Sequence, residues 1–158
     1  MRPTADLCDE YGAELRVLEP GLRDFGGRGA FAGRVTTLRV HEENALVRAA
    51  LETPGEGRVL VVDGSGSLRT ALVGGNLGQL AARNGWAAVV VWGAVRDVVE
   101  LRRCDVGIRA LASCPRRSGK AARGERDVPI SIGGVTVFPG DWLAADDDGI
   151  VVASRQLT

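Results

Sequence analysis

The sequence predicts a single α/β domain with a mixed sheet, and two features of the chain support this prediction. The first two-thirds of the 158 residues alternates apolar, strand-like runs with segments of helical periodicity, as β-α-β units do. The last third contains short apolar runs separated by turn residues such as Pro139-Gly140-Asp141, a pattern typical of β-hairpins. A layered β/β/α arrangement therefore fits the chain better than a purely parallel Rossmann sheet.

The helices are predicted from the spacing of their apolar residues and from signals at their ends. Thr4 is placed as the N-cap of a short helix over Ala5–Tyr11, because its hydroxyl can accept a hydrogen bond from the first turn. Gly85 is placed just after a helix over Asn76–Asn84, where glycine commonly ends helices. Two further helical segments are predicted, Glu43–Leu51 and Arg96–Arg102.

Strands are predicted where apolar residues alternate or run without interruption. The continuous apolar run Trp86–Trp92 is typical of a strand covered on both faces. The glycine-rich stretch Phe25–Gly33 is predicted as a loop, and Asp63–Gly66 as a tight turn from a strand to a helix. The other predicted strands are Arg34–Val40, Arg58–Val62, Gly107–Ser113, Val128–Ile132, Val135–Phe138, Trp142–Ala145 and Ile150–Val152.

The composition argues against several classes of protein. Twenty basic and twenty acidic residues cancel, whereas a nucleic-acid-binding domain usually has a basic excess. The longest apolar run, Trp86–Val95, is too short to span a bilayer as a helix. Residues Met1–Asp6 lack the apolar segment of a signal peptide. We therefore expect a cytoplasmic protein that binds neither nucleic acid nor a membrane.

Common catalytic units find little support in the chain. His41 is the only histidine, and its place between a predicted strand and a predicted helix favours a surface position. The three cysteines form no C-x-x-C pair, which argues against a disulfide framework or a cysteine zinc site. The stretch Gly64–Arg69 resembles a dinucleotide fingerprint, but an arginine stands at the third glycine position.

The segment Arg116–Arg123 contains four basic residues and no acidic one. Runs of charge are usually solvated loops, and the alternative is a lid or contact that binds an anion. The sequence leaves both interpretations open.

Two strand-to-helix junctions form the best candidate site. At the first, Gly74, Gly75, Asn76 and Leu77 open a helix, whose free N–H groups favour an anion such as a carboxylate. Both junctions follow strands, and ligands bind at the carboxyl ends of strands in α/β sheets.

Arg96 and Asp97 lie at the second junction, after the most apolar strand. The planar guanidinium of arginine suits a carboxylate or an enolate oxygen. An aspartate carboxylate is a ligand for Mg²⁺ or Mn²⁺. The alternative is structural, with Asp97 as a helix N-cap and Arg96 in a surface ion pair.

The spacing of Gly75, twenty residues, Arg96-Asp97, two residues and Glu100 is similar to the motif of a catalytic family branch. Further matching segments extend over nearly the whole chain: Phe25–Arg28, Val61–Gly64, Gly93–Asp97, Gly133–Thr136, Pro139–Asp141 and Asp146–Ile150. By these residues the chain resembles the RraA-like family. That family contains the regulator of ribonuclease activity A and class II pyruvate aldolases related to 4-hydroxy-4-methyl-2-oxoglutarate aldolase.

The resemblance implies one swivelling-type β/β/α domain over residues 1–158 that assembles as a homotrimer. It implies a lyase that cleaves 2-oxo acids through a pyruvate enolate, as a 4-hydroxy-4-methyl-2-oxoglutarate aldolase and oxaloacetate decarboxylase. Asp97 would hold a divalent cation, Mg²⁺ or Mn²⁺, largely through waters. Arg96 would bind the 2-oxo acid, and the backbone of Gly74–Leu77 would hold its carboxylate.

One departure and one alternative accompany the resemblance. Gly75 stands where some aldolases of the family have an aspartate that helps to position a water, so oxaloacetate decarboxylation is more strongly expected than aldol cleavage. The alternative is a regulator without enzymatic activity that binds and inhibits an RNase E-type endoribonuclease. The pair Arg96-Asp97 favours the enzyme, because the regulator branch tends to lack the metal-binding aspartate.

Overall fold

The computed structural model describes residues 1–158. It contains four α-helices: α1 Thr4–Tyr11, α2 Ala45–Leu51, α3 Gly75–Arg83 and α4 Val98–Leu101. The twelve strands are β1 Arg16–Val17, β2 Arg23–Asp24, β3 Phe31–Arg39, β4 Val59–Asp63, β5 Ala71–Val73, β6 Ala88–Val95, β7 Gly107–Ser113, β8 Glu125–Arg126, β9 Ile130–Ile132, β10 Val135–Val137, β11 Trp142–Asp146 and β12 Gly149–Ala153.

One mixed sheet runs through the molecule in the order β1-β12-β11-β3-β4-β6-β7-β2, with β5 beside β6 and β8 beside β3. Strand β3 belongs to two regions of this sheet. Its residues 31–34 pair antiparallel with β11, and its residues 35–39 pair parallel with β4. We call β4 to β7 with α2 to α4 the parallel region. The antiparallel region consists of β1, β11, β12 and α1.

The central strands of the parallel region are buried on both faces. In β6, Val89 and Val91 pack with α2, α3 and α4 on one face. Ala88 and Val90 pack on the other face against β11, β12 and the β9–β10 hairpin. Each buried valine side chain contributes roughly 1.5–3 kcal/mol to folding. The predicted mixed α/β fold with layered sheets is therefore confirmed, as is the prediction of a strand covered on both sides.

The N-cap predicted at Thr4 is wrong. Helix α1 begins one residue earlier than expected, with Pro3 as its N-cap. The backbone N–H and the hydroxyl of Thr4 both donate to the Asp146 carboxylate, each at 2.7 Å. A carboxylate from β11 therefore satisfies the first turn, and the threonine hydroxyl is not needed as a cap.

Several predicted boundaries also differ from the structure. The expected loop Phe25–Gly33 ends early, because β3 begins at Phe31 and pairs there with β11. The Asp63–Gly66 turn leads to another strand, β5, and not to a helix. The helix predicted over Arg96–Arg102 is limited to the four residues of α4. None of the four helices has the length and apolar character needed to cross a bilayer.

Candidate active site

The two predicted junctions lie side by side in the structure. Strands β5 and β6 are parallel neighbours, with Val73 opposite Val95. The residues that follow them, Gly74 and Arg96, therefore emerge at the same sheet edge. The backbone N–H of Arg96 donates to the Val73 carbonyl at 2.9 Å, which fixes the second junction against the first.

The paired glycines at the start of α3 allow side chains of the second junction to approach closely. A Cβ on Gly74 would lie 2.8 Å from Asp97 Oδ2 and 3.3 Å from Arg96 Cγ. A Cβ on Gly75 would overlap the Glu100 carboxylate. At both positions the nearest atoms belong to side chains of the second junction and of α4, so a larger residue at either position would displace these side chains.

Asp97 occupies an unusual backbone position at the start of α4. Its φ of 59° lies in the left-handed region, which aspartate tolerates better than most residues. It is the N-cap residue of α4, but its side chain makes no cap hydrogen bond there. Instead, Oδ2 accepts from the Gly75 N–H at 2.8 Å. The carboxylate is therefore directed towards the first junction.

Arg96 lacks the surface ion pair that local sequence left open. No carboxylate lies within ion-pair distance of its guanidinium, which donates only to the Pro115 carbonyl at 3.4 Å. The side chain is half-buried. Most of its five N–H donors are consequently available to a ligand.

The first turn of α3 offers two further donors. The N–H of Gly75 is used by Asp97, but the N–H groups of Asn76 and Leu77 have no partner in the protein. Helix starts leave such groups unpaired, and they carry a partial positive charge. They are therefore suited to bind one carboxylate beside Arg96.

All six predicted site residues line one cavity of about 290 Å³. Sequence reasoning missed two polar residues of its wall, Asn44 and Arg48. The exposed Arg48 lies on α2, and the buried Ser118 belongs to the basic segment. Arg117 and Lys120 of that segment also line the cavity. His41 does not, and it lies exposed with Nδ1 2.6 Å from Ser65 Oγ.

The basic segment is held beside the cavity by hydrogen bonds. Ser118 Oγ donates to the Ala71 carbonyl at 2.7 Å. The Gly119 N–H donates to the Glu42 carbonyl at 2.8 Å, and the Gly119 carbonyl accepts from Asn44 at 3.0 Å. Glu42 holds the segment through its backbone carbonyl. Hydrogen bonds from Arg69 and Ser67 lower the pKa of its side-chain carboxyl, so the side chain carries a negative charge at neutral pH.

The donor set fits a largely hydrated divalent cation. Asp97 is the only carboxylate among the cavity residues, and its Oδ1 accepts no hydrogen bond from the protein. No group of three or more histidine, cysteine or acidic side chains surrounds it. Mg²⁺ commonly keeps several waters and binds through one or two carboxylates plus the substrate. Asp97 would thus be its direct protein ligand.

A known family matches residues 4–152 of the chain, under the description "RraA-like: Aldolase/RraA". The chain belongs to the RraA-like family. A relative from Burkholderia multivorans, named "Putative 4-hydroxy-4-methyl-2-oxoglutarate aldolase", is 58% identical over 160 residues and covers 98% of each chain. The expected family is therefore confirmed.

Two solved structures resemble the chain over nearly its whole length. The RNA-processing inhibitor RraA from Thermus thermophilis has a TM-score of 0.97 and 52% identity, covering 100% of this chain and 96% of its own. A protein from Geobacillus kaustophilus, described as an S-adenosylmethionine:2-dimethylmenaquinone methyltransferase, has a TM-score of 0.97 and 46% identity, covering 99% and 97%. Three different activities are thus named on one fold, so function must be argued from the site.

Proposed function

We propose that this RraA-like protein is a divalent-metal-dependent lyase that cleaves 2-oxo acids through a pyruvate enolate. One observation supports this most strongly. The Asp97 carboxylate, the Arg96 guanidinium and the unpaired N–H groups of Asn76 and Leu77 all line one cavity. The name of the Burkholderia relative points to the same chemistry. We propose 4-hydroxy-4-methyl-2-oxoglutarate and oxaloacetate as substrates.

The hard step in both reactions is to place negative charge on the 2-oxo group. The N–H groups of Asn76 and Leu77 bind the 1-carboxylate, and the Arg96 guanidinium donates to the 2-oxo oxygen. This donation strengthens as the enolate forms, because charge accumulates on that oxygen in the transition state. Mg²⁺ or Mn²⁺ held by Asp97 would act as a Lewis acid on the same substrate. No histidine is needed for this stabilisation.

Decarboxylation of oxaloacetate is the simpler test, because it requires no base for a hydroxyl proton. Purified protein is mixed with oxaloacetate in Mg²⁺, and pyruvate release is compared with a chelator-treated sample and with Asp97→Ala. We expect release above the rate of a protein-free sample with the same metal only from the parent protein in the presence of metal. Full activity of Asp97→Ala in Mg²⁺ would contradict the assignment of the metal site.

A second function, inhibition of an RNase E-type endoribonuclease, is favoured by one observation. The Thermus protein, at 52% identity, is described as an RNA-processing inhibitor. The discriminating measurement is cleavage of a model RNA by RNase E with and without the protein. Inhibition that is equal for the parent and Asp97→Ala, with no pyruvate release by the parent, would replace the lyase proposal with the regulator.

We further propose that the protein assembles as a homotrimer, as the family resemblance implies. Four large apolar side chains that are exposed on one chain are candidates for the subunit interfaces: Val17, Leu68, Val99 and Phe138. Light scattering at micromolar concentration is expected to give three times the mass of 16.6 kDa. A monomer would contradict the proposal.

A further inference from the structure

A histidine and a serine come together outside the candidate active site. Nδ1 of His41 lies 2.6 Å from Oγ of Ser65. Both residues are exposed and line a second cavity of about 740 Å³, which shares no lining residue with the cavity around Asp97. His41 is the only histidine of the chain, so any histidine chemistry of this protein is located here.

The backbone fixes the two residues at the carboxyl edge of the parallel strands, where α/β sheets bind their ligands. His41 follows β3, and the N–H of its neighbour Val40 donates to the carbonyl of Asp63 at 2.9 Å. Ser65 follows β4, and its N–H donates to Asp63 Oδ1 at 2.9 Å. The pair is therefore held by the ends of two neighbouring strands.

Ser65 has a left-handed backbone, with a φ of 58°. Residues other than glycine rarely adopt this conformation, and those that do cluster at functional sites. The turn around Ser65 is fixed, because the N–H groups of Gly64 and Gly66 both donate to the Trp92 carbonyl at 3.1 Å. The Ser65 hydroxyl is thus presented beside the imidazole by a short turn that directly follows a strand.

Glu42 favours the tautomer in which His41 can accept the serine proton. Glu42 Oε1 lies 3.8 Å from Nε2 of His41, and a negative charge there stabilises a proton on Nε2. Nδ1 is then an acceptor for the Ser65 hydroxyl, whose other acceptor is the Gly64 carbonyl at 2.6 Å. The three side chains therefore follow the order of nucleophile, base and acid, with the two ring nitrogens exchanged relative to the chymotrypsin triad.

We propose that Ser65 and His41 form a second catalytic site, a serine nucleophile with its general base, which hydrolyses small carboxylic esters. The inference is independent of the proposed lyase function. Arg123 lines the same cavity and takes part in no ion pair of the protein, so its guanidinium is the donor available to an oxyanion. Arg39, also in the cavity wall, is already paired with Glu125 at 3.0 Å.

The reaction needs only water as a co-reactant. Ser65 Oγ bonds to the ester carbonyl carbon while its proton passes to His41 Nδ1. The C–O bond to the alcohol then breaks, and the alkoxide leaves with the bonding electron pair and takes the proton from Nδ1. Water attacks the acyl-serine in the same way, and its proton passes to Nδ1 as its oxygen bonds to the acyl carbon. Oγ finally leaves with that proton, and the carboxylic acid is released.

Burst kinetics with p-nitrophenyl acetate test the site, because an acyl-enzyme releases about one p-nitrophenolate per chain before the steady state. Ser65→Gly removes the hydroxyl and suits the left-handed backbone, so we expect it to abolish the burst without disturbing the turn. His41→Gln should lower the acylation rate about 10²-fold, the scale of losing a general base. Arg123→Met should lower it about 10²-fold as well, as loss of one oxyanion donor does.

Labelling with a fluorophosphonate, located by peptide mass spectrometry, distinguishes Ser65 from the cysteines, whose thiolates also react with activated esters. We expect the label on Ser65 in the parent protein and at the same rate in Ser131→Ala, the matched control. Ser131 is an exposed serine of β9, and the only histidine contacts Ser65 instead. In His41→Gln, labelling of Ser65 should slow in proportion to the burst.

A parent protein that shows no burst and carries no label on Ser65 would overturn the proposal, because the contact between His41 and Ser65 would then be only a structural hydrogen bond. A burst that survives in Ser65→Gly would do the same, since another nucleophile would be acylated. Labelling of Ser65 at the parental rate in His41→Gln would also overturn it, because the histidine would not act as the base.

Discussion

The antiparallel and parallel regions share β3, yet one aspartate in each region is used in the opposite way. In the antiparallel region, Asp146 accepts hydrogen bonds from Thr4 and from the Asp148 N–H. In the parallel region, Asp97 accepts a single bond, from Gly75, and one of its oxygens is unbound. Arg96 has no carboxylate partner at all.

The contrast indicates which charges stabilise the fold and which are kept for a ligand. Carboxylates with several protein donors stabilise the native state by their hydrogen bonds. Groups left without partners at the carboxyl edge of the parallel strands contribute little to stability and remain available for binding. Substitutions in the two regions should therefore separate activity from stability.

The largest effect is expected for Asp97→Asn. Asparagine also tolerates the left-handed backbone, and its side-chain oxygen can still accept from Gly75. It lacks the negative charge that a divalent cation requires. Oxaloacetate decarboxylation in Mg²⁺ should fall about 10³-fold, the equivalent of several kcal/mol of Lewis-acid stabilisation. The free energy of unfolding should change by less than about 0.5 kcal/mol, measured with urea. A stability loss of several kcal/mol would contradict the inference that Asp97 contributes little to folding.

Arg96→Lys should have the next largest effect. Lysine keeps the charge but loses the planar, two-pronged geometry. We expect kcat for oxaloacetate decarboxylation to fall about 10²-fold, the scale of losing one oxyanion donor, and KM to rise as ground-state contacts are lost. Oxalate, a planar mimic of the pyruvate enolate, should inhibit the variant less than the parent. Near-normal kcat with unchanged oxalate inhibition would rule out this role for Arg96.

Asp146→Ala should reverse the pattern, with lower stability and unchanged activity. Burial would raise the pKa of Asp146, but hydrogen bonds from Thr4, Asp148 and Gly149 outweigh it and lower that pKa. Loss of these bonds should cost about 1–2 kcal/mol of unfolding free energy at pH 7.

The pH dependence provides the control for Asp146. A carboxyl whose pKa is lowered by folding stabilises the native state above its unfolded pKa, about 3.9. That stabilisation is lost as the pH falls through the lower, folded-state pKa. The difference between parent and Asp146→Ala should therefore shrink below about pH 4. A difference that is constant from pH 7 to pH 3 would show that the carboxylate charge is not involved.

Gly75→Ala should have the smallest effect. The three atoms nearest to the added Cβ all belong to the Glu100 carboxylate, which can rotate away at the loss of its exposed hydrogen bond from Gln79. Alanine also favours helix over glycine. The melting temperature should shift by less than about 2 °C. A much larger decrease would mean that Glu100 is held rigidly beside α3.

Much of the fold and half of the site follow from local sequence signals. The long strand β6 was predictable from its apolar run. The first junction was predictable from the glycines that precede a helix, and the second from Arg96-Asp97 after β6. Strand β5 was missed because three residues are too few to show a period. Asp97 has a left-handed backbone, so α4 begins only after it, at Val98. No local sequence pattern predicts a positive φ at a residue other than glycine.

The rest of the site depends on tertiary pairing. Arg48 is an ordinary exposed residue of α2 until the Glu43–Gly119 bridge brings the basic segment beside it. Residues 43 and 119 are far apart in the chain, and the sequence contains no pattern that links them. The same holds for Thr4, whose partner Asp146 lies 142 residues away.

The pairing of β1 with β12 has a consequence for how the protein is made. Arg16 is aligned with Val152, which is far along the chain, and the β11–β12 hairpin pairs with β3 through β11. Contacts so distant in sequence form slowly because long loops must close first. During synthesis, the edge of β3 that pairs with β11 therefore stays unpaired until β11 and β12 have left the ribosome. The nascent chain with this unpaired edge is the form most exposed to aggregation.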